Sequence, residues 1–259
     1  MRSLTTKGII CLQDDYNFVY RIALIEYTEW EDEQFKYSIK PFYNVIDMLP
    51  DYLFQGIPGI EISLRRAVYE RKNILPTFIS ERSPSENRED VWHLLEENGM
   101  KTLNRLEWLI KTNKRYSGDR FFVQGYSEPR NINVPSMFDL AKRSDAVIGE
   151  LLRIICYGDY LHTDEIGIND KTRIDYYDLL MPLYIHNYNL RRMAQQKGID
   201  LAKEKRSFRG RERLKIDMLL FDKLARDYLN GRISSAEASN RLKISKATFL
   251  RRIAQYINK

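Results

Sequence analysis

Ser234-Ser235-Ala236-Glu237-Ala238-Ser239-Asn240-Arg241-Leu242-Lys243-Ile244-Ser245-Lys246-Ala247-Thr248-Phe249-Leu250-Arg251-Arg252 reads as two short helices joined by a tight bend. Ser234 followed three residues later by Glu237 is a capping box, so a helix opens there and ends near Leu242. Only Lys243 and Ile244 intervene before Ser245, a second N-cap, which starts a helix over Lys246–Ile257. Upstream, Met218–Asn230 carries Leu219, Leu220, Leu224 and Tyr228 at helical spacing, and Gly231 closes it. Ala238 is small enough to sit inside the bend and Ile244 to plug it, while Phe249 and Ile253, at i and i+4, face a common core. These signals together predict a three-helix helix-turn-helix unit.

A helix-turn-helix sets the N-terminus of its second helix into the DNA major groove. Ser245, Lys246, Ala247 and Thr248 stand there, with Arg251 and Arg252 one turn later. Hydroxyls and backbone N–H groups at a helix start suit phosphates, and Lys and Arg add charge or reach base edges. The rival reading, a purely structural helical hairpin, leaves that basic exposed face without a purpose.

Charge supports a localised polyanion site. Residues 190–259 hold 19 Lys+Arg against 7 Asp+Glu, a balance of +12. Subtracted from the chain totals of 42 and 36, this leaves 23 Lys+Arg against 29 Asp+Glu in residues 1–189, a balance of −6. Basic charge is therefore concentrated at one end. Within it, Lys203-Glu204-Lys205-Arg206-Ser207-Phe208-Arg209-Gly210-Arg211-Glu212-Arg213 leads into the three helices. Arg209, Arg211 and Arg213 around Gly210 suit an arm laid in a narrow, electronegative minor groove, with a solvated linker as the alternative.

Lys197-Gly198-Ile199-Asp200-Leu201-Ala202-Lys203, then Arg209-Gly210-Arg211, then Ser245-Lys246-Ala247-Thr248-Phe249-Leu250-Arg251-Arg252 resembles the C-terminal end of serine resolvases and invertases. The resemblance covers about residues 188–259. It implies a long helix, a basic arm through the minor groove, a helix-turn-helix in the next major groove, and a homodimer paired through the long helices. Catalysis is not carried across. That family needs a nucleophilic serine in a Tyr-x-Arg-Val-Ser type motif after the first strand, and the start of this chain lacks it. The nearest echo, Val123-Gln124-Gly125-Tyr126-Ser127, has no arginine two before the serine, and the family's Asp-Arg-Leu-x-Arg pattern is missing too. No catalytic residue is assigned.

Other chemistries find no support. His93, His162 and His186 are isolated, and with the two distant cysteines they give no metal-ligand spacing. Walker-type and Rossmann glycine patterns do not occur, so no metal and no cofactor is expected. Asp14-Asp15 and Asp164-Glu165 are acidic pairs of the sort nucleases use, but solvated surface is the plainer reading. Arg65, Arg66, Arg71, Lys72, Arg82 and Arg88 make residues 65–88 locally basic, which suits an accessory site or scattered surface charge. Cys11 and Cys156, each beside Ile-Ile, read as buried thiols.

Working back to the N-terminus, residues 7–13 and 18–28 read as strands, with Glu29–Glu33 an acidic turn and Phe35–Phe42 a returning strand. Pro76–Ile79 reads as a short strand, and Ser83 or Ser85 caps a helix carrying Val91, Leu94 and Leu95 to Gly99. Asn104–Lys111 is a second helix and Arg120–Gly125 another strand. Ser127–Pro135 is linker-like; helices follow over about 136–157 and from near Asp175 to Arg206, with Pro182 starting or kinking the latter.

The expected fold is α+β: a mixed α/β domain over 1–126 for interaction, sensing or assembly, a helical region over 136–206, and the arm plus helix-turn-helix over 207–259. No run approaches the roughly 18 apolar residues of a membrane span, and Met1–Lys7 lacks a signal-peptide core, so a cytoplasmic protein is expected. Its expected partners are double-stranded DNA, a second copy of itself, and a protein bound through residues 1–126. The expected function is sequence-specific DNA binding, as a regulator or recombination accessory of a mobile element or prophage. The alternative is an active recombinase or nuclease with a diverged catalytic domain. Trapping on a suicide DNA substrate separates the two, because only the enzyme forms a serine–DNA adduct.

Overall fold

The computed structural model describes residues 3–31, 34–116, 119–205, 214 and 216–257. The chain is α+β and divides into two compact units, residues 1–192 and 193–259.

The first unit is built on a hairpin, β1 (Ser3–Gln13) and β2 (Val19–Trp30), in register from Ser3↔Trp30 to Gln13↔Val19 with an irregularity between Ile10 and Cys11. Both strands run longer than the sequence suggests, and Glu29 and Trp30, read as part of an acidic turn, belong to β2. Asp14 shapes the hairpin loop: its carboxylate accepts from the backbone N–H of Tyr16 at 2.9 Å and of Phe18 at 2.8 Å. β3 (Phe35–Pro41), β4 (Tyr69–Lys72) and β5 (Phe121–Gly125) complete an antiparallel sheet in the order β4-β3-β2-β1-β5. β1 lies between β2 and β5, and its second half is buried on both faces. Ile10 and Leu12 face the main core, whereas Ile9 and Cys11 join Phe122 on the other side. Cys11 and Cys156 are indeed free, buried thiols, and burial pushes the Cys11 thiol up to about 12.

Short helices cover this sheet: α1 (Tyr43–Ile46), α2 (Thr77–Ser80), α3 (Val91–Glu97) and α4 (Arg105–Thr112). Asn104 caps α4 by accepting from the Glu107 N–H at 3.0 Å, and its amide donates to Thr6 Oγ1 at 2.9 Å, which ties the helix to β1. Close packing leaves Gly8 no room for a side chain, since a Cβ there would meet Val123 Cγ1 at 2.9 Å and Ile110 Cδ1 at 3.2 Å. Two local expectations are corrected. Pro76–Ile79 forms no strand; it is the start of α2, with Phe78 and Ile79 buried. Neither Ser83 nor Ser85 caps α3, which begins beyond Asp90 without a side-chain cap. The Ser83 hydroxyl instead donates to the Ile79 carbonyl at 2.8 Å, finishing the turn that α2 began.

The stretch read as linker and one helix is more divided. Asn131–Asn133 forms β6, which pairs in parallel with β7 (Tyr160–His162), and β8 (Gly167–Ile168) pairs antiparallel on the other side of β7. Met137–Leu140 is an isolated 3-10 turn capped by Ser136, and α5 runs only over Ser144–Tyr157. A capping box closed by Asp139 starts this turn, and Glu165 accepts from Ser136 Oγ at 2.6 Å and from the Met137 N–H at 3.0 Å. α6 (Arg173–Glu204) contains Pro182 and packs Tyr177 and Met181 into the same core as the sheet. Residues 136–192 therefore share one hydrophobic core with residues 1–126 rather than standing apart as a helical region.

In the second unit, α7 (Met218–Leu229), α8 (Ser235–Arg241) and α9 (Lys246–Ile257) enclose a separate core of Phe221, Leu224, Ala225, Ala238, Leu242, Phe249 and Ile253. Among the described residues, no helix is long and apolar enough to cross a membrane.

Candidate nucleic-acid interface

Each helix of the second unit starts on a side-chain cap. Asp217 accepts from the N–H groups of Leu219 and Leu220 at 3.0 and 3.1 Å. Ser234 accepts from the Glu237 N–H at 3.1 Å, and Ser245 accepts from the Thr248 N–H at 3.2 Å. These bonds satisfy donors that a helix start cannot pair internally. Ser245 Oγ also lies 2.8 Å from Thr248 Oγ1, so both hydroxyls are engaged with each other at the mouth of α9.

The bend between α8 and α9 is a helix C-cap of Schellman type. The Ile244 N–H donates to the Ser239 carbonyl at 3.0 Å and the Lys243 N–H to the Asn240 carbonyl at 3.1 Å. That geometry puts Lys243 at a φ of 54°, a left-handed position that usually falls to glycine. The sequence signals located the bend but not this strain, because lysine gives no hint of it. An L side chain in this region costs about 1–2 kcal/mol, part of which glycine loses again in backbone entropy. Lys243→Gly is therefore expected to stabilise the unit by about 0.5–1 kcal/mol, read as a higher urea midpoint at unchanged m-value.

Phe249 is fully buried, its ring centroid 5.4 Å from that of Tyr228 and 6.0 Å from that of Phe221. Ile253 lies one turn further along the same face. The core phase read from the sequence thus holds, and it decides what α9 turns outward: Lys246, Ala247, Leu250, Arg251, Ala254 and Gln255 are exposed. Ala247, Arg251 and Ala254 fall along the line opposite the core, so two small residues flank one long cation. Arg241, by contrast, is taken by Glu237 at 2.6 Å.

Among the residues singled out for DNA, Ser245, Lys246, Ala247, Thr248 and Arg251 come together around the first turns of α9. Arg252 differs: its Nη2 donates to the Leu214 carbonyl at 2.7 Å and holds the chain entering α7 against α9. Its half-buried position gives it a positioning task that the sequence did not disclose. Arg209, Arg211 and Arg213 lie outside the described residues.

The other candidate sites resolve into local structure. Asp15 pairs with Arg120 at 2.9 Å, while Asp14 and Glu165 serve the loop bonds described above. Of the basic residues at 65–88, Arg65 makes a two-point ion pair with Asp47 and Arg88 pairs with Asp90. Arg82 is buried against Asp119 and the Phe78 carbonyl. Three of the six basic residues are thus paired with carboxylates, and Arg71 donates to the Glu70 and Gly59 carbonyls. Compared with models of known protein families and with curated proteins, the sequence matches none.

Proposed function

We propose that the chain is a sequence-specific double-stranded DNA-binding protein, a regulator or recombination accessory of a mobile element or prophage, acting as a homodimer. The observation that carries this reading is the outward face of α9. Alanines 247 and 254 beside Arg251 let a helix approach base edges closely, and alanine methyls suit the thymine methyl group. Arg251 has the reach and fork geometry for guanine, and Lys246 lies at the helix start, where backbone dipoles favour phosphate. On this reading the arm with Arg209, Arg211 and Arg213 tracks the adjacent minor groove. Dimerisation is supported by exposed Leu179, Leu183, Leu190 and Met193 on α6, which with His186 fall at alternating four- and three-residue steps, the spacing of a coiled-coil seam.

The test is duplex binding by the full chain, followed by fluorescence anisotropy over a salt series on a site selected from random DNA. The log–log slope is expected to be about −0.9 for each phosphate neutralised. Lys246→Ala and Arg251→Ala are each expected to weaken specific binding by about 1–3 kcal/mol while thermal unfolding stays unchanged. Binding that ignores salt, or variants that bind as the parent does, would sink the proposal.

A further inference from the structure

Arg21 sits near the start of β2, in register with Cys11 on β1, so its side chain shares the sheet face of Ile9, Cys11 and Phe122. That is an apolar place for a guanidinium. Arg21 is 2% exposed, and its Nη2 donates to the Ser127 carbonyl at 2.5 Å. Nε and Nη1 are buried and have no acceptor among the described residues. The rings of Phe42 and Tyr157 lie 5.6 and 5.3 Å from the guanidinium carbon. Such cation–π contacts offset part of the desolvation of the charge, but they leave two N–H donors unpaired. A buried cation with unmet donors calls for an anionic partner.

The same arginine forms part of the wall of a cavity of about 300 Å³, together with Phe42, Tyr157, Tyr160, Asn44 and Asp170. This volume is at the lower end of small-molecule sites, roughly 300–1,000 Å³. The acid in the wall, Asp170, is already engaged. It accepts from Asn44 Nδ2 at 2.8 Å and from the Tyr160 hydroxyl at 3.3 Å, and Arg173 stands 3.8 Å away. An incoming anion is therefore drawn by the guanidinium charge bordering the cavity, while the carboxylate in the wall is held by its own partners. Flat aromatic walls and a guanidinium together favour a flat ligand ending in a carboxylate.

We propose that this cavity is a binding site for a small planar carboxylate, with its charge at Arg21 and its ring against Phe42 and Tyr157. The test is calorimetric titration of the full-length chain with benzoate, with benzamide as the neutral isostere and with inorganic phosphate. Benzoate is expected to bind saturably at one site per chain, with benzamide and phosphate each at least about tenfold weaker, as loss of a charge-assisted hydrogen bond implies. Arg21→Met is expected to reduce benzoate affinity by a similar factor. If that variant fails to fold, Asn44→Trp, which fills the cavity from its rim and leaves Arg21 in place, is expected to do the same. The inference is overturned if benzoate gives no saturable heat at millimolar concentration. Equal affinity for benzamide or phosphate overturns it as well, as does benzoate binding that survives Asn44→Trp unchanged.

Discussion

Replacing Phe249 by alanine is expected to destabilise the C-terminal unit by about 3–5 kcal/mol, the usual loss for emptying a phenylalanine site in a packed core. Phe249 is wholly buried at the centre of the three helices, in edge-on contact with Phe221 and Tyr228. The surrounding core of Phe221, Leu224, Ala225, Ala238, Leu242 and Ile253 is small, so the loss of one large ring leaves a cavity that these side chains fill only in part. Urea unfolding of the full chain, followed by far-ultraviolet circular dichroism, reads the effect as a lowered midpoint for the helical unit. Arg251→Ala on the opposite face of α9 is the control, expected to change stability by no more than about 0.5 kcal/mol. A reversed ranking of the two variants would mean that the face of α9 assigned to DNA is the one that faces the core.

The second large effect lies in the N-terminal unit. Arg173 opens α6 with no exposed surface, donating through Nη1 to the Ile155 carbonyl at 2.8 Å and through Nη2 to the Asp159 carbonyl at 2.8 Å. A longer bond of 3.4 Å reaches the Ile154 carbonyl. These oxygens lie at and just beyond the C-terminal end of α5, where carbonyls lack helical partners and the helix dipole favours a cation. Burial pushes the Arg173 pKa down from its ordinary value, and Asp170 acts in the opposite direction. The Ile154 and Ile155 carbonyls also accept backbone N–H groups, from Asp159 and Gly158, so they would keep one partner each without the arginine. The Asp159 carbonyl has no such backbone partner among the bonds described. Arg173→Met, which keeps the length and loses the donors, is therefore expected to cost about 2–4 kcal/mol. Thermal unfolding of the full chain checks this, and a loss below about 1 kcal/mol would show that solvent or a neighbouring side chain replaces the guanidinium.

The sequence by itself determined the helix-turn-helix, because everything that specifies it is local. Ser234 and Ser245 cap the helices that follow them, Gly231 closes α7, and the i, i+4 pair Phe249 and Ile253 marks the core side of α9. The β1–β2–β3 meander was legible for the same reason, as apolar strands joined by short turns. Tertiary structure alone decided the rest. β4, β6, β7 and β8 have four residues or fewer, too few to carry a period; β4, β6 and β7 are strands because a distant partner offers its backbone, and β8 pairs in turn with β7. Pro76–Ile79 has strand-forming residues, but the space over the sheet takes them as a turn of helix. The buried arginines were the least legible. Arg21 and Arg173 bond mainly to main-chain carbonyls. Every residue has such a carbonyl, so no spacing in the sequence can announce which arginine will be drawn inside.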